Sequence, residues 1–320
     1  MTKILISTAI LFLFSCKTVK NIHNHDKSVT EGGNKTPDQF ITILGIAQDA
    51  GYPHPYCGKI CCEAVEKGKE ARQNVTCLGI VDKENQQVFM IEATPDFTKQ
   101  EKILRGYLTD KTRPLSGVFL THAHIGHYTG LMYLGREAVG AKETPVHAMP
   151  KMKQFLENNG PWSQLVSFKN IKLMTLKDDT PVFLSKNISI KPLIVPHRDE
   201  FSETVGYVIS GKNKRILFIP DIDKWTKWQR DIKVEVKNVD MALLDGTFYK
   251  NGEIPNRDMR EIPHPFIEET INVFQNAIEK SKIHFIHINH TNPILRQTPE
   301  RQDVLKQGFG ICKEGDVIGL

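Results

Sequence analysis

Val118-Phe119-Leu120-Thr121-His122-Ala123-His124-Ile125-Gly126-His127 puts three imidazoles within six positions, directly after an apolar run. Neutral imidazole is the commonest metal-binding side chain, because its free nitrogen ligates near neutral pH. Packing has no use for three of them at a strand end, so the stretch reads as part of a metal site. Other positions share its context, each just past an apolar run where a loop leaves a sheet. His197 follows Ile194-Val195-Pro196, Asp221 follows Ile216 to Pro220, Asp245 follows Met241 to Leu244, and His290 follows Phe285 to Asn289. Loops at one edge of a sheet assemble sites from distant sequence. Three imidazoles, a carboxylate and an open position suit a divalent cation that activates water.

Around these positions the apolar pattern alternates between short buried runs and helical spacing. Strands are expected at 41–46, 77–81, 87–91, 117–120 and 145–148, then at 171–176, 181–184 and 188–195. A hairpin is expected over 204–209 and 215–219, and further strands at 239–244, 283–288 and 317–320. Helices are expected at 96–108, 129–139, 151–157, 225–232 and 266–280, with Asp223 as the N-cap of the fourth. Strands, then mixed elements, then the same again, suggest an α/β protein of two sheets packed face to face with helices outside, an αββα sandwich. Periodicity alone does not separate that from other α/β folds.

The chain has 320 residues and a net charge of +5, with Lys and Arg scattered among Asp and Glu. No basic stripe with interleaved aromatics is present, so nucleic acid is not the expected partner. The amino terminus reads as a targeting segment: Lys3, then a mostly apolar run from Ile4 to Phe14, too short to span a bilayer comfortably. Leu13-Phe14-Ser15-Cys16 resembles a bacterial lipobox. That resemblance implies a signal peptide at 1–15, a lipidated Cys16, a polar tether over 16–38 and a folded domain over 39–320. The protein is then expected in the bacterial cell envelope, lipid-anchored and facing periplasm or exterior. An ordinary cleaved signal with an incidental cysteine is the alternative.

Seven segments carry a further resemblance: Ile43 to Gly51, Leu120 to Leu131, Val195-Pro196-His197, Ser202 to Tyr207, Phe218 to Asp221, Leu244 to Phe248 and His287 to Ile294. In this order they resemble the metallo-β-lactamase superfamily and, within it, the pyrroloquinoline-quinone synthesis protein B family. The resemblance implies a first metal position from His122, His124 and His197, a bridging Asp221, and a second position with His127 and His290. It departs at one place, since the superfamily pattern His-x-His-x-Asp-His has Gly126 where the Asp belongs. Asp49 or Asp223 could stand in for it; otherwise Asp49, like Asp245, orients ligands. His284 and His287 alternate along one strand, so at least one is expected to be a packed or surface residue. His264, between two prolines, either lines the pocket or stiffens a loop. Thr121, Tyr128 and Thr247 are candidate pocket contacts.

Cys57, Cys61 and Cys62 form a separate group in which thiolates on one turn can reach a single Zn²⁺, with His54 as a candidate fourth ligand. In an exported protein a disulfide or free thiols are the alternatives. Cys77 and Cys312 are expected in the core. The leading function is a metallo-hydrolase carrying one or two Zn²⁺, with Fe²⁺ or Mn²⁺ as alternatives. It acts on a small ester, amide, lactone or phosphoester, with His127 or Asp221 moving the proton. An iron-dependent oxidative enzyme is the second reading, favoured by the coordination left open at Gly126. A non-catalytic metal-binding lipoprotein is the third.

Overall fold

A computed structural model describes residues 36–320; the signal segment, Cys16 and the tether as far as residue 35 lie outside the described residues. Among the described residues no helix is long and apolar enough to cross a membrane. Strands β1 (Gln39–Gly45), β2 (Cys77–Asp82), β3 (Gln87–Ile91), β4 (Gly117–Phe119), β5 (Thr144–Ala148) and β6 (Ile171–Thr175) lie side by side in sequence order. A second sheet holds β7 (Val182–Phe183), β8 (Ser189–Ile194), β9 (Val205–Ser210), β10 (Arg215–Ile219), β11 (Met241–Asp245), β12 (Ile283–Ile286) and β13 (Gly310–Ile311), again in order. The last strand, β14 (Val317–Gly319), pairs antiparallel with β1 and completes the first sheet.

Successive side chains of a strand face opposite sides, and here both sides are buried. Ile41, Ile43, Leu78, Ile80, Phe89 and Ile91 of the first sheet meet Ile190, Tyr207, Ile209, Ile216 and Phe218 of the second in one cluster. Their neighbours Phe40, Leu44, Val81, Val88 and Met90 face outward into a second cluster. There they meet α2 (Phe97–Arg105), α4 (Pro150–Asn158) and α5 (Trp162–Ser167) through Leu104, Met152, Leu156 and Leu165. On the other side Leu217, Ile219, Ala242, Leu244 and Phe285 pack under α6 (Ile232–Lys237), α7 (Ile267–Phe274) and α8 (Pro299–Lys306). The result is an αββα sandwich. Two short helices, α1 (Ile60–Glu66) and α3 (Ile125–Tyr128), lie in the loops that build the site.

Strand direction explains where a site forms. β2 is antiparallel to both β1 and β3, so β1 runs with β3, and β4 is parallel to β3. β9 is antiparallel to both β8 and β10, and β10, β11 and β12 are parallel. The loops after β1, β3 and β4 therefore leave one edge of the first sheet, and those after β8, β10, β11 and β12 leave one edge of the second.

Three helices differ from expectation. The 129–139 segment holds only a 3-10 turn, Thr129–Leu134, directly after α3. Gly130 is pressed so close that a Cβ there would lie 2.6 Å from the Phe97 Cβ, and its N–H donates to the Ala93 carbonyl instead of a helical ladder. The 225–232 segment is a 3-10 turn, Trp225–Lys227, after which Trp228 is extended. Its two indoles bond away, to Thr270 Oγ1 at 2.9 Å and to the Ile194 carbonyl at 2.8 Å. The helix starts later, at α6, where Asp231 and not Asp223 accepts the capping N–H, from Lys233 at 2.8 Å. α7 stops at Phe274, and the rest of the expected 266–280 helix holds a separate 3-10 turn, Ile278–Lys282.

Candidate metal centre

The loop after β4 is held rigidly before it reaches its histidines. The Tyr207 hydroxyl of β9 donates to the Leu120 carbonyl at 2.5 Å, and the Ala123 N–H donates to Ser202 Oγ at 2.9 Å. Donor atoms of His122, His124, His197 and Asp221 then gather in one group, all within 4.8 Å of one another. Asp49, His127, Asp221 and His287 gather in a second under the same limit. Nitrogen and oxygen ligands about 2.0–2.2 Å from a common cation stand roughly 3–4 Å apart, so both groups are of the right size.

Asp221 belongs to both. Its Oδ2 lies 3.5 Å from His122 Nε2, 3.4 Å from His127 Nε2 and 3.6 Å from His287 Nε2, while Oδ1 lies 3.4 Å from His197 Nε2. Asp49 Oδ1 lies 3.1 Å from His127 Nε2 and 3.6 Å from His287 Nε2. A Cβ added at Gly126 would meet the Asp49 Cα at 2.6 Å and Cβ at 2.9 Å. The carboxylate that the histidine motif lacks at Gly126 thus enters the same space from the loop after β1.

The imidazoles are oriented from behind. Glu92, fully buried just past β3, accepts from Thr121 Oγ1 at 2.5 Å and from His127 Nδ1 at 3.1 Å. With the Thr121 proton given to Glu92, its oxygen accepts from His122 Nδ1 at 2.8 Å. The same relay recurs across the site. Thr247 donates to Asp245 Oδ1 at 2.7 Å and accepts from His287 Nδ1 at 2.9 Å. Asp223 Oδ1 stands 3.5 Å behind His197 Nδ1. In His122, His127 and His287 the bonded Nδ1 leaves Nε2 to carry the lone pair toward the cation, the tautomer a metal requires.

Charge and burial point the same way. Burial and the neighbouring imidazoles hold His122 well below its usual pKa, so it stays neutral. Burial alone would raise Asp221 and Asp49, but the surrounding imidazoles outweigh it and hold both well below the usual carboxylate range. His127 is driven the other way: burial opposes its charge, yet Glu92, Asp221 and Asp49 raise it well above the ordinary value. This buried carboxylate cage attracts positive charge. His122 Nε2, His287 Nε2 and Asp221 Oδ1 are buried with no hydrogen-bond partner among the described residues. Such orphaned atoms aimed at one another fit a divalent cation.

Sequence expectations are redistributed at three places. His290 does not enter this centre; His287 does. His287 lies one residue past β12 in the left-handed region, φ 60°, so strand alternation does not set its direction. His290 instead joins Cys57, Cys61 and Cys62 in a separate four-donor group. His54 is not in that group: its Nδ1 is taken by the Pro55 carbonyl at 2.9 Å, and its ring lies against His290 at 4.2 Å between centroids. The cysteines are free thiols, with Cys57 Sγ 3.5 Å from Cys61 Sγ, and His290 Nδ1 is a buried orphan beside them. Cys77 and Cys312 are buried in the core.

A cavity of about 180 Å³ opens onto the metal groups, lined by Asp49, His124, His197 and Asp221 together with Arg198, Arg257, Phe248, Ile262, Pro263 and His264. His127 is wholly buried between carboxylates and is not among the lining residues. His264 is. Its Nδ1 lies 2.8 Å from Asp245 Oδ2 and 3.1 Å from Asp221 Oδ1. Burial opposes its charge, but those two carboxylates raise its pKa to about 9. Tyr128 packs against Phe155 and Trp162, away from the pocket. Glu92 was not singled out in the sequence, although the rule that found Asp221, a carboxylate just past an apolar strand, applies equally to Glu92 after Val88 to Ile91.

Known proteins resemble this chain in sequence and fold. Coenzyme PQQ synthesis protein B from Rhizobium meliloti (strain 1021) is 25% identical over 313 residues, spanning 90% of this chain and all of the relative. Zinc-bound PqqB from Methylobacterium extorquens superimposes with a TM-score of 0.72 at 20% identity, covering 88% of this chain and 100% of that one. A diphosphatase of the PhnP family gives a TM-score of 0.61 at 19% identity, covering 88% and 98%. The family model described as beta-lactamase superfamily domain matches residues 88–288, from the strand before Glu92 to the loop that carries His287. The chain therefore belongs to the beta-lactamase superfamily and has its metallo-β-lactamase fold.

Proposed function

We propose that this protein is a hydrolase using two divalent cations, zinc in the first instance, on a small anionic ester. The observation that carries the reading is Asp221, whose carboxylate is common to two four-residue donor groups beside an open cavity. His122, His124, His197 and Asp221 would hold one cation, and Asp49, His127, His287 and Asp221 the other. Cations so held supply a water whose pKa falls to about 7 and an electrophile for the substrate oxygen.

The chain's own residues do the rest. Arg198 and Arg257 line the cavity. They are suited to an anionic group on the substrate, a phosphoester above all. Phe248, Ile262 and Pro263 supply an apolar wall. His264, its Nδ1 bonded to Asp245, keeps Nε2 for the cavity and is placed to give a proton to the departing alcohol. Asp245 then stabilises the histidine in the orientation that donation needs.

The oxidative reading rested on coordination left open at Gly126. Asp49 fills that space, which supports hydrolysis over oxygen activation. The test is to load the purified domain with Zn²⁺ and assay phosphodiesters, phosphomonoesters, carboxylate esters and lactones. Turnover that favours anionic esters and vanishes in H122A/H124A is expected. Full metal content and activity in that variant would overturn the proposal. Anchoring to the envelope through Cys16 belongs to the same proposal and is tested by labelling with a radioactive fatty acid, which C16S should abolish.

A further inference from the structure

A separate cavity of about 370 Å³ opens between the 3-10 turn Thr129–Leu134 and α5, on the helical side of the first sheet. It shares no lining residue with the metal cavity and has about twice its volume. Small-molecule sites run to about 300–1,000 Å³, so its size is that of a ligand pocket. Met132, Tyr133, Trp162, Leu165 and Phe168 give it a largely apolar wall, and Met132 and Phe168 are half-exposed. The charges at its rim answer each other. Arg136 Nε donates to Glu137 Oε1 at 3.0 Å, and the same guanidinium lies over the Phe168 ring, 4.8 Å from its centroid.

Two side chains that line this cavity each hold an unsatisfied polar atom, one a donor and one an acceptor. Trp162 Nε1 and Asn170 Oδ1 are buried with no hydrogen-bond partner among the described residues. Asn170 is only 6% exposed. Its Nδ2 donates to the Ala141 carbonyl at 2.9 Å, which sets the orientation of the amide and leaves Oδ1 as the unused end. The other two indoles of the chain are both bonded, Trp225 to Thr270 and Trp228 to Ile194. A buried donor and a buried acceptor left unmade are costly, and each calls for a partner.

We infer that this cavity is a binding site for a compact, uncharged molecule with an apolar body and a carboxamide or lactam group. The ligand's carbonyl accepts from the Trp162 indole, its N–H donates to Asn170 Oδ1, and its body covers the apolar wall. A carboxylate fits less well, because it has no proton for Asn170 Oδ1 and the Arg136 charge is already matched by Glu137. A plain hydrocarbon would leave both polar atoms unmade. The site stands apart from the metal chemistry, so it holds whether or not the metal centre turns over an ester.

The zinc-loaded protein, labelled with nitrogen-15, tests this with 2-naphthamide as the probe. Its three tryptophans give three indole N–H signals. Added 2-naphthamide should move one of them downfield, the one absent from W162F, and leave those of Trp225 and Trp228 in place. Equilibrium dialysis reads the affinity. N,N-dimethyl-2-naphthamide keeps the carbonyl and lacks the N–H, and should bind about tenfold more weakly. Ala138 is an exposed residue of the lining, so A138F should block the cavity without unfolding the protein or changing its metal content. Inorganic phosphate, an anion suited to Arg198 and Arg257, should not displace the probe. The inference is overturned if the Trp162 signal stays in place, if the dimethyl amide binds as tightly, if A138F binds the probe like wild type, or if phosphate competes with it.

Discussion

Asp49 and Gly126 share one volume: a Cβ on Gly126 would stand 2.9 Å from the Asp49 Cβ, closer than two such carbons approach. Only one of these positions can carry a carboxylate, so the glycine is the complement of the aspartate and not a defect in the motif. D49G should cost the second metal more than the roughly 10–100-fold loss typical of groups that merely orient a ligand. G126D alone should crowd Asp49 and lower second-site affinity too. In the double variant D49G/G126D the Cα of residue 49 still stands 2.6 Å from the new Cβ, so the second cation should stay weak there too. Metal stoichiometry after dialysis against a weak chelator reads all three, and a second cation that survives D49G would refute the ligand role of Asp49.

Glu92 orients two imidazoles, one directly and one through Thr121. E92Q keeps the shape but cannot accept from both partners with full charge. It should weaken metal binding by about 10–100-fold. Competition with a fluorescent zinc chelator measures this. Unchanged affinity would mean that Glu92 serves packing alone.

In the proposed hydrolysis His264 is the proton donor to the leaving group. H264A should lower kcat by about 10²–10⁴-fold on esters of poorly acidic alcohols. On esters of nitrophenol, which leaves without a proton, the loss should be far smaller, and metal content should be unchanged. An equal loss on both substrates would move His264 from proton transfer to positioning.

Glu314 links the carboxy-terminal turn to Asn74, accepting from Asn74 Nδ2 at 3.1 Å and from the Asn74 backbone. Burial pushes its carboxyl up to about 7, despite that backbone N–H. The folded state therefore binds more protons than the unfolded chain between about pH 4.5 and 7, and stability from this group falls as pH rises through that window. The decline is at most about 3 kcal/mol. Urea unfolding at pH 5 and pH 8 should show a smaller loss in E314Q than in wild type. Identical slopes would show that Glu314 ionises freely.

Much of this was legible in the sequence because the signals were local. Buried runs such as Val88 to Ile91 fix strands, and the rule that ligands follow strands located His122, His124, His197 and Asp221. What failed depended on contacts distant in sequence or on backbone twists. His287 reaches the centre through a left-handed residue, which no alternation pattern encodes, and its departure sends His290 to the thiols. Asp49 replaces a side chain 77 positions away, a pairing visible only once β1 and α3 are folded together. The 129–139 helix was misread because Gly130 yields its N–H to Ala93 across the chain.

The most direct measurement is anomalous diffraction from crystals of the zinc-loaded protein. Two peaks should flank Asp221, with an Asp49 oxygen about 2.0–2.2 Å from the one that His127 and His287 share. A single peak at His122, His124 and His197, or a second cation with Asp49 turned away from it, would contradict the proposed two-metal centre.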